Sequence, residues 1–116
     1  MTIVSNAPAM PSERTRLLIL ALKNSGTRGL AAVTLAHERP CDAGGPLAQL
    51  LDERSDQLRT TAAQLLGRLG AVDRAVLERL RQAAQTDRNL IVRCHAAEAL
   101  QRLNVMTDTA PDVRAR

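Results

Sequence analysis

The chain has 116 residues, of which 45% are hydrophobic and none is Phe, Trp or Tyr; it carries two cysteines and a net charge of +4. That length supports one domain with a modest core, and Leu and Ala supply most of the apolar side chains, which favours close-packed helices over a sheet. The missing aromatics exclude base-stacking platforms and aromatic interface anchors, and two cysteines exclude a disulfide framework.

Residues 1–11 hold two prolines and no helical period, and read as a flexible arm. Ser12 is placed to cap a first helix over 13–24, with Leu17, Leu18, Leu20, Ala21 and Leu22 as its apolar side. Asn24-Ser25-Gly26 stops it, with Gly26 offered for a positive φ. Thr27 opens a second helix, 27–38, carrying Arg28, Ala31, Ala32 and Leu35. The Pro40–Pro46 stretch is the clearest breaker, and Pro46 is placed as the first residue of a third helix, 46–54, with Leu47, Leu50 and Leu51. Asp56 is the expected cap of a fourth helix over 57–69, which Gly70 ends. Asp73 caps a fifth, 73–85, with Val76, Leu77, Leu80, Ala83 and Ala84 on one side. The sixth runs over 90–103, Asn104 is placed to end it, and residues 105–116 read as a frayed tail.

One phrase recurs. Leu58-Arg59-Thr60-Thr61-Ala62-Ala63-Gln64-Leu65-Leu66-Gly67-Arg68-Leu69 returns as Val92-Arg93-Cys94-His95-Ala96-Ala97-Glu98-Ala99-Leu100-Gln101-Arg102-Leu103, a shift of 34 residues. Arg28, Ala31, Ala32 and Leu35 form a more degraded third copy. A fixed period in this range marks a stacked helical array in which each unit buries its apolar face on the next. The pairs Ala62-Ala63 and Ala96-Ala97 let helices approach closely, and Leu66, Leu69, Leu100 and Leu103 fill the seam.

These residues resemble HEAT repeats, in particular the short bacterial variety named for the phycobilisome lyases. The likeness is close over 46–103 and weaker over 13–38. It implies an all-α, right-handed α-solenoid of about three helical hairpins and six helices, with a repeat domain over 12–104. It also implies a structural ladder between repeats made by Asp56, Arg59, Asp87 and Arg93, with Arg28 a weaker member. The second helices would then line a concave platform through Leu30, Val33 and His37 in the first repeat, Thr61, Gln64 and Arg68 in the second, and His95, Glu98 and Arg102 in the third. Leu30 and Val33 suit a partner contact, or are covered by the arm through Ile3 and Val4.

The function this implies is a protein-interaction module, an adaptor, chaperone or regulatory subunit without catalysis or cofactor. One alternative is a nucleic-acid-binding array using Arg68, Arg102, Arg74, Arg79 and Arg81; another is an accessory subunit of a lyase-like enzyme. The arginines alternate with Asp and Glu, the pattern of solvated faces. His37-Glu38 is one His-Glu pair, but His95 is followed by Ala96, so two metal sites cannot be built. Cys41 sits beside Asp42 with no base at hand, and Cys94 aligns with Thr60, so both read as unreactive thiols. Gly44-Gly45-Pro46 lacks the Lys-Ser/Thr of a phosphate loop. Leu90, Ile91, Val92 and Val105-Met106 at the open end point to a homodimer. No charged leader precedes a long apolar run and Leu17–Leu22 is too short to span a bilayer, so a cytoplasmic location without membrane insertion is expected.

Overall fold

Ser12 sets the start of the first helix: its hydroxyl accepts the Thr15 backbone N–H at 3.2 Å. The computed structural model describes residues 11–70 and 73–107, the last four by backbone alone. Over these residues the chain forms α1 (Glu13–Leu22), α2 (Arg28–Glu38), α3 (Gly44–Gln49) continued by a 3₁₀ turn (Leu50–Asp52), α4 (Asp56–Leu69), α5 (Arg74–Thr86) and α6 (Leu90–Thr107), with no strand among them. Side-chain caps recur at the helix starts. The Asp73 carboxylate accepts from Val76 N at 3.0 Å, and Asn89 Oδ1 accepts from Ile91 N at 2.7 Å and Val92 N at 3.3 Å. Each such cap stabilises a helix by about 1 kcal/mol.

Several boundaries differ from the expected ones, each for a local reason. Ser55, not Asp56, caps α4 through its hydroxyl, which accepts from Leu58 N at 3.2 Å. Asp56 is the first helical residue, and its carboxylate goes to Arg59 and Asn89 instead. Pro46 does not open α3; the helix starts two residues earlier, at Gly44. Pro46 still lies in the first turn, where no amide donor is needed, and Gly45 before it has no Cβ to clash with the proline ring. Gly26 does not take a positive φ. The chain leaves α1 through turns whose amides bond Leu20 O and Ala21 O, and Asn24 Oδ1 accepts from Gly26 N at 2.8 Å. Among the described residues the left-handed positions are Arg39 (φ 46°) after α2 and Gly70 (φ 80°) after α4. Helix α6 runs past Asn104 to Thr107; the arm at 1–10 and the chain from 108 lie outside the described residues.

The helices stack in two layers. α1, α3 and α5 follow one another in the first, and α2, α4 and α6 in the second, with α4 against α6 and α5 against α6 the heaviest contacts. Leu22, Leu35, Leu47, Leu66, Leu80, Val92 and Leu103 are the large side chains closed off from solvent. Ala62, Ala63 and Ala96 are also fully buried, but Ala97 is exposed. Among the described residues α4 lies between α2 and α6, whereas α6 has only α4 beside it in its layer. Within α1 the core register is Thr15, Ile19 and Leu22, and the expected core residues Leu17 and Leu20 face outward. The run 17–22 is apolar on every side, so its periodicity could not choose a face. Thr15 decides it: buried, it donates to Asp42 Oδ1 at 2.8 Å, while Asp42 Oδ2 accepts the Ser12 amide at 2.8 Å.

The arginine that opens each second helix turns back onto a carbonyl six residues earlier. Arg28 Nε donates to Leu22 O (2.7 Å), Arg59 Nη1 to Glu53 O (2.9 Å) and Arg93 Nη1 to Asp87 O (2.6 Å). Between the second and third hairpins the junction is ionic. Arg59 donates to both Asp87 oxygens (2.8 and 3.1 Å) and to Asp56, and Asn89 Nδ2 donates to the other Asp56 oxygen at 2.9 Å. Asp56, Arg59, Asp87 and Arg93 thus gather at one set of turns, and Arg28 reaches Gln57 across the preceding junction.

This chemistry fixes the acid response. Burial pushes the Asp87 carboxyl up, but hydrogen bonds from Arg59 and the Asn89 amide, with the charges of Arg59 and Arg88, hold it below the usual carboxylate range. The Ser12 amide, opposed by burial and helped by Thr15, does the same for Asp42. A depressed carboxyl contributes stability that is complete above its unfolded pKa, about 3.9, and is lost as pH falls through the lower folded value. Urea midpoints should therefore hold from pH 7 to about 5 and fall below about 4. Asp42→Asn, already lacking its carboxylate, should start lower and lose less on acidification; an equal acid loss in the variant would contradict this assignment.

Candidate functional site

Helical spacing puts Thr61, Gln64 and Arg68 on one face of α4 and His95, Glu98 and Arg102 on the equivalent face of α6, each set at i, i+3 and i+7. The stacking of α2, α4 and α6 leaves two adjoining hollows over these faces. One, of about 460 Å³, lies between α2 and α4 and is lined by Ala32, Val33, Ala36, His37, Thr61, Gln64, Leu65 and Arg68. The other, of about 230 Å³, lies between α4 and α6 and is lined by Gln64, Arg68, His95, Glu98, Ala99 and Arg102. Gln64 and Arg68 form the ridge shared by both. The structure therefore brings together all the platform residues expected from the sequence except Leu30. That residue stands outside the lining, 74% exposed, on the same helix as Val33 at 67%.

The two hollows differ in chemistry. The first is the more apolar, with Ala32, Val33, Ala36 and Leu65 set among His37, Thr61, Gln64 and Arg68. In the second, Gln64 Nε2 lies 3.4 Å from His95 Nδ1, and His95 Nδ1 lies 3.6 Å from Glu98 Oε1. Arg68 and Arg102 form no ion pair or side-chain hydrogen bond among the described residues. The floor is set by backbone approach. A Cβ built on Gly67 would lie 2.9 Å from both Cα and Cβ of Ala99 and 3.5 Å from Cδ of Arg102, so the α4–α6 contact lays the Arg102 stem over the backbone of Gly67.

A family profile for HEAT repeats matches residues 44–116, more than half of the chain, beginning at the first residue of α3. The chain belongs to the HEAT-repeat family. No curated protein and no solved structure matches it. In this HEAT-repeat chain Asp56, Arg59, Asp87 and Arg93 line neither hollow.

The sequence reading missed a third hollow, of about 1270 Å³, on the opposite, first-helix layer. Leu17, Leu20, Cys41, Pro46, Asp73 and Val76 are among its walls. Its signal was present in the all-round apolar run of α1, which carries more leucines than one buried face can take. Cys41 and Cys94 are free and exposed. At the far end Leu90 and Ile91 are exposed, whereas Val92, expected beside them on the surface, is fully buried; the side chains of Val105 and Met106 lie outside the described ones. Among the described residues no three His, Cys, Asp or Glu side chains gather to hold a metal ion, and no helix is long and apolar enough to cross a membrane.

Proposed function

We propose that this chain is a non-catalytic protein-interaction module that seats a segment of a partner along the α2–α4–α6 face. The observation that supports this most is the continuity of the two hollows, apolar between α2 and α4 and polar between α4 and α6, with uncovered Leu30 and Val33 at the apolar end. Large apolar side chains exposed beside a hollow are what a docking surface needs. An adaptor, chaperone or regulatory subunit fits such a surface. The nucleic-acid reading draws less support. Arg74, Arg79 and Arg81 stand on α5, in the other layer from Arg68 and Arg102, and Arg79 and Arg81 are paired with Asp52 and Glu78. Exposed Leu90 and Ile91 favour a further apolar contact, with a second copy as its simplest occupant.

The test is crosslinking in the cell of origin followed by capture of the tagged chain. Val33→Asp and Leu30→Asp should each lower recovery of the crosslinked partner at least tenfold. Their melting temperatures should stay near wild type, because substitutions at such exposed sites change stability by about 0.5 kcal/mol or less. Undiminished capture by both variants would move the partner off this face.

A further inference from the structure

We infer that the groove selects a polypeptide segment bearing a carboxylate close to an apolar side chain, the carboxylate taken between Arg68 and Arg102 and the apolar group seated against Val33, Ala36 and Leu65. This rests on the groove being the partner site, and adds the chemistry of the ligand. Arg14, Arg59, Arg79 and Arg81 each hold a carboxylate within the chain. Nine other described arginines hold none, and of these Arg68 and Arg102 are the two that occupy equivalent positions of successive repeats and line one hollow. The close contact at Gly67 and Ala99 brings the Arg102 stem against the backbone of α4 at Gly67, the residue before Arg68. Two arginines lining one small hollow can offer it the planar, bidentate fork that suits a carboxylate.

Glu98 narrows the choice. It shares the hollow and lies on the His95 side, so the site carries two positive charges against one negative. That balance accepts a single carboxylate and disfavours a chain of phosphates, whose binding depends on neutralising many charges along a track. The chain also has no aromatic side chain on which bases could stack. Adjacent helices in one layer lie about 8–10 Å apart. An extended peptide rises about 3.3 Å per residue, so a few residues carry it from the apolar hollow to the arginines.

The experiment uses the full chain and an array of heptapeptides with Leu and Glu at every pair of positions in a Gly-Ser background, with Gln and phosphoserine counterparts of Glu. Hits are measured in solution by fluorescence anisotropy and by ¹H–¹⁵N spectra that resolve the Arg Nε–H groups. The expected result is a subset of Leu/Glu peptides that bind at least tenfold tighter than their Gln counterparts and shift the Nε–H signals of Arg68 and Arg102. Arg68→Gln and Arg102→Gln should each erase that preference, with melting temperatures unchanged. Peptides that bind equally with Glu or Gln, yet lose binding in Val33→Asp, would overturn the carboxylate assignment and leave the groove reading standing. Binding that ignores Val33, Arg68 and Arg102 alike would overturn both. Preference for phosphoserine over Glu, or for oligo(dT) run in parallel, with dependence on the same two arginines, would replace the acidic peptide by a phosphate ligand.

Discussion

Gly67→Ala is expected to destabilise the protein by about 2 kcal/mol, against the direction that helix propensity alone predicts. Gly67 lies inside α4 and is buried. In an isolated helix alanine is better than glycine by about 1 kcal/mol. Here the added methyl would sit 2.9 Å from the Cα and Cβ of Ala99, and a backbone atom cannot swing aside as a side-chain tip can. α4 and α6 must move apart, loosening the packing of Ala62, Ala63, Leu66, Ala96 and Leu103, all fully buried or nearly so. Overpacking of this kind costs about 1–3 kcal/mol. Gly29, in α2, supplies the opposite sign within the same chain. Nothing lies within 4 Å of a Cβ built there, so Gly29→Ala should stabilise by about 0.5 kcal/mol. Thermal melts check both, since 1 kcal/mol moves the midpoint of a domain this size by about 4–8 °C. A Gly67→Ala midpoint at or above wild type would mean that α4 and α6 do not touch as described. The same substitution spreads Arg68 and Arg102, so it should also weaken acidic-peptide binding.

The architecture could be read from the chain because two independent signals agree on it. The 34-residue recurrence gave the stacking of equal units, and the capping residues Ser12 and Asp73 with Gly70 gave helix ends. The platform residues followed from the same register, since equivalent positions on stacked helices must line one face. What the sequence could not show was anything that depends on which side of a uniformly apolar helix turns inward. Leu17 and Leu20 were misplaced for that reason, and the hollow they line was missed with them. Nor could it show Thr15 as a core residue, because its burial depends on Asp42, which is 27 residues away in the chain. The unequal fates of Ala63 and Ala97 are a property of position in the stack, not of the phrase they share.

Arg59→Met should be the most damaging single change, at about 3–5 kcal/mol. Arg59 is 3% exposed and all three of its guanidinium nitrogens are engaged: Nε with Asp87, Nη1 with the carbonyls of Glu53 and Arg54, and Nη2 with Asp56 and Asp87. Methionine fills a similar volume but offers no donor. It leaves two carbonyls short of a partner and a carboxylate, Asp87, with its side chain only 8% exposed and its paired guanidinium gone, so that only the Asn89 amide and the more distant charge of Arg88 favour its ionised form. An uncompensated buried charge costs far more than the net stability the intact pair provides. Three consequences separate this from a simple packing defect. First, the loss should shrink on acidification. Once Arg59 is gone burial raises the Asp87 carboxyl, so protonation now relieves the strain and stability relative to wild type recovers as pH falls. Second, Arg59→Met combined with Asp87→Leu should recover much of the single-variant loss, because a buried pair replaced whole is often nearly neutral. Third, the pair joins the start of α4 to the turn before α6, so its loss should let the α5–α6 hairpin exchange its amides ahead of the rest, as expected where neighbour contacts hold a repeat stack together. Urea unfolding of the single and double variants at pH 7 and pH 4, with hydrogen exchange by hairpin, reads all three. A loss below about 1 kcal/mol in Arg59→Met, or a double variant no better than the single, would show that the junction between the second and third hairpins is held by apolar contact alone.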